Sequence, residues 1–136
     1  MSNIEQTLSI IKPDAVERTL ENESKEMFKL KGFNILKEKK IHIAKSEAEQ
    51  FYKVHETKPF YNDLCSYLSS GPIVVMVLEK ENAVLENREL MGATKPEDAA
   101  EGTIRKKYGI SIDKNSVHGS DSIENAKIEI DFFFKD

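Results

Sequence analysis

The chain has 136 residues, enough for one domain with its own core, and its 39% hydrophobic and 32% charged content excludes global disorder. Net charge is -4, from 24 acidic and 20 basic residues, which gives no overall pull toward nucleic acid or an anionic membrane. The single cysteine, Cys65, cannot close an internal disulfide, and the first residues reach Lys12 and Pro13 before any long apolar run. The expectation is therefore a cytoplasmic protein without signal peptide or membrane span, formed as one domain over residues 1–136.

In chain order, residues 7–11 are short, apolar and β-branched, and read as a strand that ends at Pro13 and delivers Lys12 at its edge. A weak helical patch follows from Asp14 to Arg18. Residues 22–31 carry a stronger helix signal, with Met27, Phe28 and Leu30 on the apolar side and Gly32 as the stop. Residues 33–43 read as a half-exposed or edge strand. There Phe33, Ile35, Ile41 and Ile43 share one parity, while Lys37 and Lys39 interrupt it. Ser46 and Glu49 have capping-box spacing for the next helix, in which Ala48, Phe51, Tyr52 and His55 share a face. Pro59 breaks the chain before a helix over 61–68.

Residues 73–78 are an unbroken apolar, valine-rich run, the expected central strand buried on both faces. A helix over 82–91 leads into an irregular segment, 92–102, of the length that often carries function in a small domain. A short helix over 103–108 and a short strand over 116–118 precede the last helical pattern. Its stripe is Ile123, Ala126, Ile130 and Phe133, closed by Phe134, with Ile128 almost opposite. Ser120 and Asp121 are candidate caps, and the spacing to Glu124 favours Asp121. Strands separated by helices point to an α/β sandwich with a small, partly antiparallel sheet. Element order alone does not separate this from a small doubly wound fold.

The chemistry concentrates in the last quarter of the chain. His118 precedes Gly119 at a bend, and Glu129 lies at the flank of the following apolar stripe, where a carboxylate can orient an imidazole. A neutral imidazole is nucleophilic enough to accept a phosphoryl group near neutral pH; a buried histidine bonded to a carbonyl is the bland alternative. Phosphoryl transfer needs fixed positive charge, for which Lys12, Arg88 and Arg105 are the candidates, with Thr94 and Thr103 as hydroxyl donors. Taken singly, each arginine reads as surface charge. Phe60 offers a flat face to a base, or else a core aromatic, and Tyr52 has the same ambiguity. His55 reads as structural, His42 as solvent-facing, and Cys65 as without catalysis. The three histidines are too scattered to define a zinc site. Neither GxxxxGK[ST] nor GxGxxG occurs, so any nucleotide phosphates must be held by side chains.

The segments NSVHGSDS (115–122), TLSIIKPDAV, KPFY, SGPIVVMVL, RELMGAT and GTIR occur in one order across essentially the whole chain. In this the sequence resembles the nucleoside diphosphate kinase family, with a length like that of bacterial members. The resemblance implies a ferredoxin-like βαββαβ fold, an antiparallel four-stranded sheet covered by helices. It also implies Mg2+-dependent ping-pong transfer of the terminal phosphate between nucleoside tri- and diphosphates, ATP and GTP among them, with broad base and sugar tolerance. On that resemblance His118 becomes phosphohistidine, Glu129 bonds its other ring nitrogen, and Ser120 supports the pair. Tyr52 lines the histidine's surroundings. Lys12 and Asn115 bind the sugar hydroxyl, and Lys12 also lies near the transferred phosphate. Arg88, Thr94 and Arg105 bind phosphate, Phe60 stacks on the base, and Asp121 is the acidic partner of the metal ion, directly or through water. A homo-oligomer, tetramer or hexamer, is implied as well, with no stable nucleic acid or membrane partner.

Rival readings from other functional classes are weaker. A nucleotide- or RNA-binding module needs neither Glu129 behind His118 nor the Lys12, Arg88 and Arg105 set, and the charge balance disfavours an RNA face. A phosphorelay component leaves Phe60 and Asn115 without a role.

Overall fold

Strand β1 (Ile4–Ile11) is the strand that the rest of the sheet is built beside, in a computed structural model that describes residues 4–93, 95–109 and 116–134. The order is then α1 (Pro13–Glu17), α2 (Glu21–Leu30), β2 (Asn34–Ile41), α3 (Lys45–Phe51), α4 (Tyr61–Leu68), β3 (Ile73–Glu81), α5 (Ala83–Met91), α6 (Ile104–Tyr108), β4 (Val117–Gly119) and α7 (Ile123–Phe133). The four strands lie in the order β2-β3-β1-β4, each antiparallel to its neighbours. This is the expected ferredoxin-like sheet, antiparallel throughout rather than partly so. The β2–β3 connection carries α3 and α4.

Alternation along the two central strands divides the core into two layers. Ile11, Val74, Met76 and Leu78 face a layer built with Ala15, Phe28, Leu90 and Ile104. Leu8, Ile10, Ile73 and Val75 face the opposite layer, with Ala48, Tyr52, Leu68 and Phe133. Because β3 supplies both layers, its apolar run has no polar positions between residues 73 and 78, as expected for a strand covered on both faces. Burying one large aliphatic or aromatic side chain this way contributes about 1.5–3 kcal/mol.

Three local expectations are corrected. In β2 the register slips between Ile35 and Lys37. That bulge reverses the alternation, so Phe33 and Ile35 join the first layer while Ile41 and Ile43 join the second. One parity thus serves two faces. Leu30, expected among the apolar contacts of α2, is 83% exposed at the helix end, where the chain turns through Gly32 at φ +88. Helix α3 begins earlier than the Ser46 cap predicts. Its N-cap is Ala44, whose backbone N–H donates to Glu47 Oε1 at 3.0 Å, so Glu47 and not Glu49 supplies the carboxylate.

Among the described residues no helix is long and apolar enough to cross a membrane.

Candidate active site

β4 is only three residues long, and it is held to β1 by the pairs Ser9↔Gly119, Ile10↔His118 and Ile11↔Val117. Val117 and Gly119 are buried, while His118 is half-buried on the other side of the strand. Its Nε2 lies 3.1 Å from Glu129 Oε1, which comes from α7. Ser120 closes the arrangement. Its hydroxyl donates to the same carboxylate oxygen at 2.8 Å and accepts the Leu8 backbone N–H at 3.3 Å. A carboxylate on Nε2 favours the tautomer protonated there, which leaves the lone pair on Nδ1. The predicted triad of His118, Glu129 and Ser120 is thus one hydrogen-bonded chain.

The cap of α7 differs from expectation. Ser122 Oγ accepts from the Asn125 backbone N–H at 3.1 Å, and Asp121 instead accepts from the Asn125 side chain. The capping-box spacing suited Asp121, but the helix begins one residue later. Ile123, placed in the apolar stripe by its spacing, is 57% exposed, whereas Ala126 and Phe133 are buried as expected.

Phosphate-binding candidates gather beside β4. Arg105 is buried and donates from Nη1 to Gly92 O at 2.9 Å and from Nη2 to Val117 O at 3.0 Å. Burial, with the Arg88 guanidinium as the second cause, lowers the Arg105 pKa to about 10. Both arginines, with Thr103 and Gly92, line a cavity of about 370 Å³. Two cations drawn into one concavity are costly unless an anion joins them, so this cavity suits phosphate. Lys12 is 5% exposed at the start of α1, and its backbone N–H donates to Ser116 O at 2.8 Å. Thr94 and Asn115 lie outside the described residues.

On the aromatic side, Phe60 is 43% exposed at the start of α4, with Lys58 Nζ 5.7 Å from its ring centroid. Tyr52 is buried, and burial, then the nearby Glu129 carboxylate, pushes its hydroxyl pKa well above the usual tyrosine range. The ring that touches the imidazole is Phe51, edge-to-face with His118 at 5.3 Å, a contact the sequence reading did not assign. His55, read from the sequence as structural, packs beside the same aromatic group. Its ring lies 6.0 Å from Phe60 and 6.3 Å from Tyr52, and burial first, then the Lys58 ammonium, lowers its imidazole pKa. The shared face of Ala48, Phe51, Tyr52 and His55 was the signal available for both residues.

No cluster of three or more His, Cys, Asp or Glu side chains able to hold a metal occurs among the described residues. Asp121, exposed near His55, is a single carboxylate. That donor set fits Mg2+, which keeps several waters and takes one or two carboxylates together with substrate phosphates.

Comparison with known proteins agrees with this geometry. The family model "Nucleoside diphosphate kinase" matches residues 5–136. The nucleoside diphosphate kinase of Rhizorhabdus wittichii is 58% identical over 131 residues, 96% of this chain and 94% of that one. The Campylobacter jejuni protein of the same name is 56% identical over 132 residues, 97% of this chain and 96% of that one. A crystal structure of the Aquifex aeolicus nucleoside diphosphate kinase superposes with a TM-score of 0.95 at 40% identity, covering 96% of this chain and 95% of that one.

Proposed function

The chain belongs to the nucleoside diphosphate kinase family and is a phosphotransferase acting on nucleotides, and we propose that His118 Nδ1 is the atom that carries the phosphoryl group. The observation that carries this reading is the hydrogen-bonded chain from His118 Nε2 through Glu129 Oε1 to Ser120 Oγ, at 3.1 and 2.8 Å. In the first half-reaction the neutral Nδ1 attacks the terminal phosphorus in line. An N–P bond forms, the bond to the bridging oxygen breaks, and the nucleoside diphosphate leaves with those electrons. Glu129 accepts the Nε2–H bond and stabilises the positive charge that develops on the ring. Ser120 holds the carboxylate in place. An acceptor diphosphate then takes the vacated position, and the reverse transfer regenerates the neutral imidazole.

Around that centre, Arg88, Arg105 and Thr94 bind phosphate oxygens, Lys12 and Asn115 bind the sugar hydroxyl, and Lys12 also reaches the transferred group. Phe60 stacks on the base, and Tyr52 encloses the histidine side. A base held by stacking and not by its hydrogen-bonding edge accounts for broad base tolerance. Family membership implies a Mg2+ requirement, and Asp121 is the residue we assign to it, directly or through water. When bound, the ion supplies charge neutralisation on the phosphate oxygens. We assign residues 1–136 to one catalytic domain in a cytoplasmic homo-oligomer, a tetramer or hexamer.

The test is incubation with Mg2+ and a triphosphate labelled at its terminal phosphate. Base-stable, acid-labile label should form on the parent, be absent from His118→Ala, and be discharged by an unlabelled diphosphate. No label on a folded parent that binds nucleotide would sink the His118 assignment.

A further inference from the structure

Asp14 lies outside the group of residues to which transfer is assigned, yet it is 5% exposed and its carboxylate has several donors. Tyr67 Oη donates to Oδ1. Ser116 Oγ and Arg18 Nη2 each donate to Oδ2 at 3.1 Å. The Asp14 backbone N–H in turn donates to Tyr67 Oη at 2.8 Å. Arg18 extends the network to the Tyr108 carbonyl and to Ser116 Oγ.

These partners lie far apart in the sequence, and each adjoins a segment of the site. Asp14 is two residues after Lys12. Tyr67 is on α4, the helix that begins after Phe60. Tyr108 ends α6, the helix of Arg105. Ser116 is two residues before His118. Its backbone lies in the left-handed region at φ +73, although its side chain is fully buried and it is not glycine. A serine keeps that conformation only where its surroundings over-determine it. Here the hydroxyl is tied to Asp14 and Arg18, and the carbonyl accepts the Lys12 N–H at 2.8 Å. The next carbonyl, of Val117, is gripped by Arg105.

We propose that Asp14, with Tyr67 and Arg18, is a positioning residue for phosphoryl transfer: its carboxylate holds Ser116 in its strained conformation and so aims His118 relative to Lys12 and Arg105. This rests on the assignment of His118 as the nucleophile. Misplacing a reacting atom by about 1 Å can cost on the order of 100-fold in rate without a comparable change in binding. The consequence is a specific signature. Loss of the network slows transfer from bound nucleotide and leaves nucleotide affinity nearly intact.

The experiment is single-turnover phosphorylation by rapid quench with Mg2+ and labelled ATP, comparing the parent, Asp14→Asn, Tyr67→Phe and His118→Ala. Rates are normalised to the folded, nucleotide-binding fraction, well below each variant's melting temperature, and ADP affinity is measured separately. Asp14→Asn should slow labelling about 10- to 100-fold and Tyr67→Phe about 3- to 10-fold, with ADP affinity within threefold of the parent. Tyr67→Phe keeps the ring and removes one hydroxyl, so it decides the matter should Asp14→Asn not fold. Parent-like rates per folded site overturn the proposal even if melting temperatures fall, because that is what a purely structural network would show. A slower rate fully explained by weaker ADP binding also overturns it. Label on His118→Ala would instead overturn the underlying assignment of the nucleophile.

Discussion

His55 stands between the rings of Phe60, which we propose stacks on the base, and Tyr52, on the side of the proposed nucleophile. Burial first, then the Lys58 ammonium, holds its imidazole below the ordinary value of 6.5, with Asp121 pulling weakly the other way. Its Nδ1 is buried without a hydrogen-bond partner among the described residues. The linkage has a definite sign. With the folded pKa below the unfolded one, the unfolded chain binds the extra proton first, so this residue's contribution falls as pH drops below about 6.5 and levels off beneath the folded value. Urea melts between pH 5 and 7.5 should therefore show a smaller acid-side loss for His55→Gln than for the parent. Parallel pH profiles would show that His55 has no depressed pKa in the folded state.

At the scale of elements, the placement of His118 depends on how closely α5 approaches β4. A Cβ added at Gly119 would come 2.2 Å from Asn87 Nδ2 and 2.8 and 2.9 Å from Met91 Cε and Sδ. Those side chains are buried, so they cannot swing into solvent. Gly119→Ala should consequently destabilise the fold by about 1–3 kcal/mol, the usual cost of overpacking a dense interior. It should also slow phosphorylation, since β4 carries His118 and α5 carries Arg88. Urea unfolding checks the first effect and rapid-quench labelling the second. A variant within about 0.5 kcal/mol of the parent, the range of an ordinary surface change, would mean that α5 and β4 separate more easily than this packing implies.

For the whole molecule, the apolar side chains left outside the two core layers are informative. Leu30 on α2 is 83% exposed and Leu36 on β2 is 45% exposed, on elements that pack together. β2 is an edge strand, and Lys37, Lys39 and Lys40 along it discourage indiscriminate strand addition. Family membership implies an oligomer, and a surface that combines exposed leucines with a guarded edge suits a specific self-contact. Sedimentation at micromolar concentration should give one species at a multiple of the 15.5 kDa protomer. Leu36→Glu should shift it toward smaller species. A parent that sediments as a monomer would exclude the oligomeric assignment.

Local sequence signals specify most of the elements and single out His118 as the leading site candidate. Helical and strand periods, Pro13, Pro59 and Gly32 are local signals, so they placed the buried β3 run, α4 and the short strand that carries His118. The position of Glu129 at the flank of the last apolar stripe proposed it as the partner of His118, and the family resemblance implied Ser120 beside them. Tertiary structure decided what depends on distant contact. The β2 bulge sends Phe33 and Ile43 to opposite layers because β3 sets the register, which no alternation within β2 can encode. Phe51 reaches His118 across 67 positions of sequence, and Asp14 meets Tyr67 and Ser116 at separations of 53 and 102. Periodicity specifies which face of an element is apolar. Only packing specifies which faces, and which polar groups between them, are brought together.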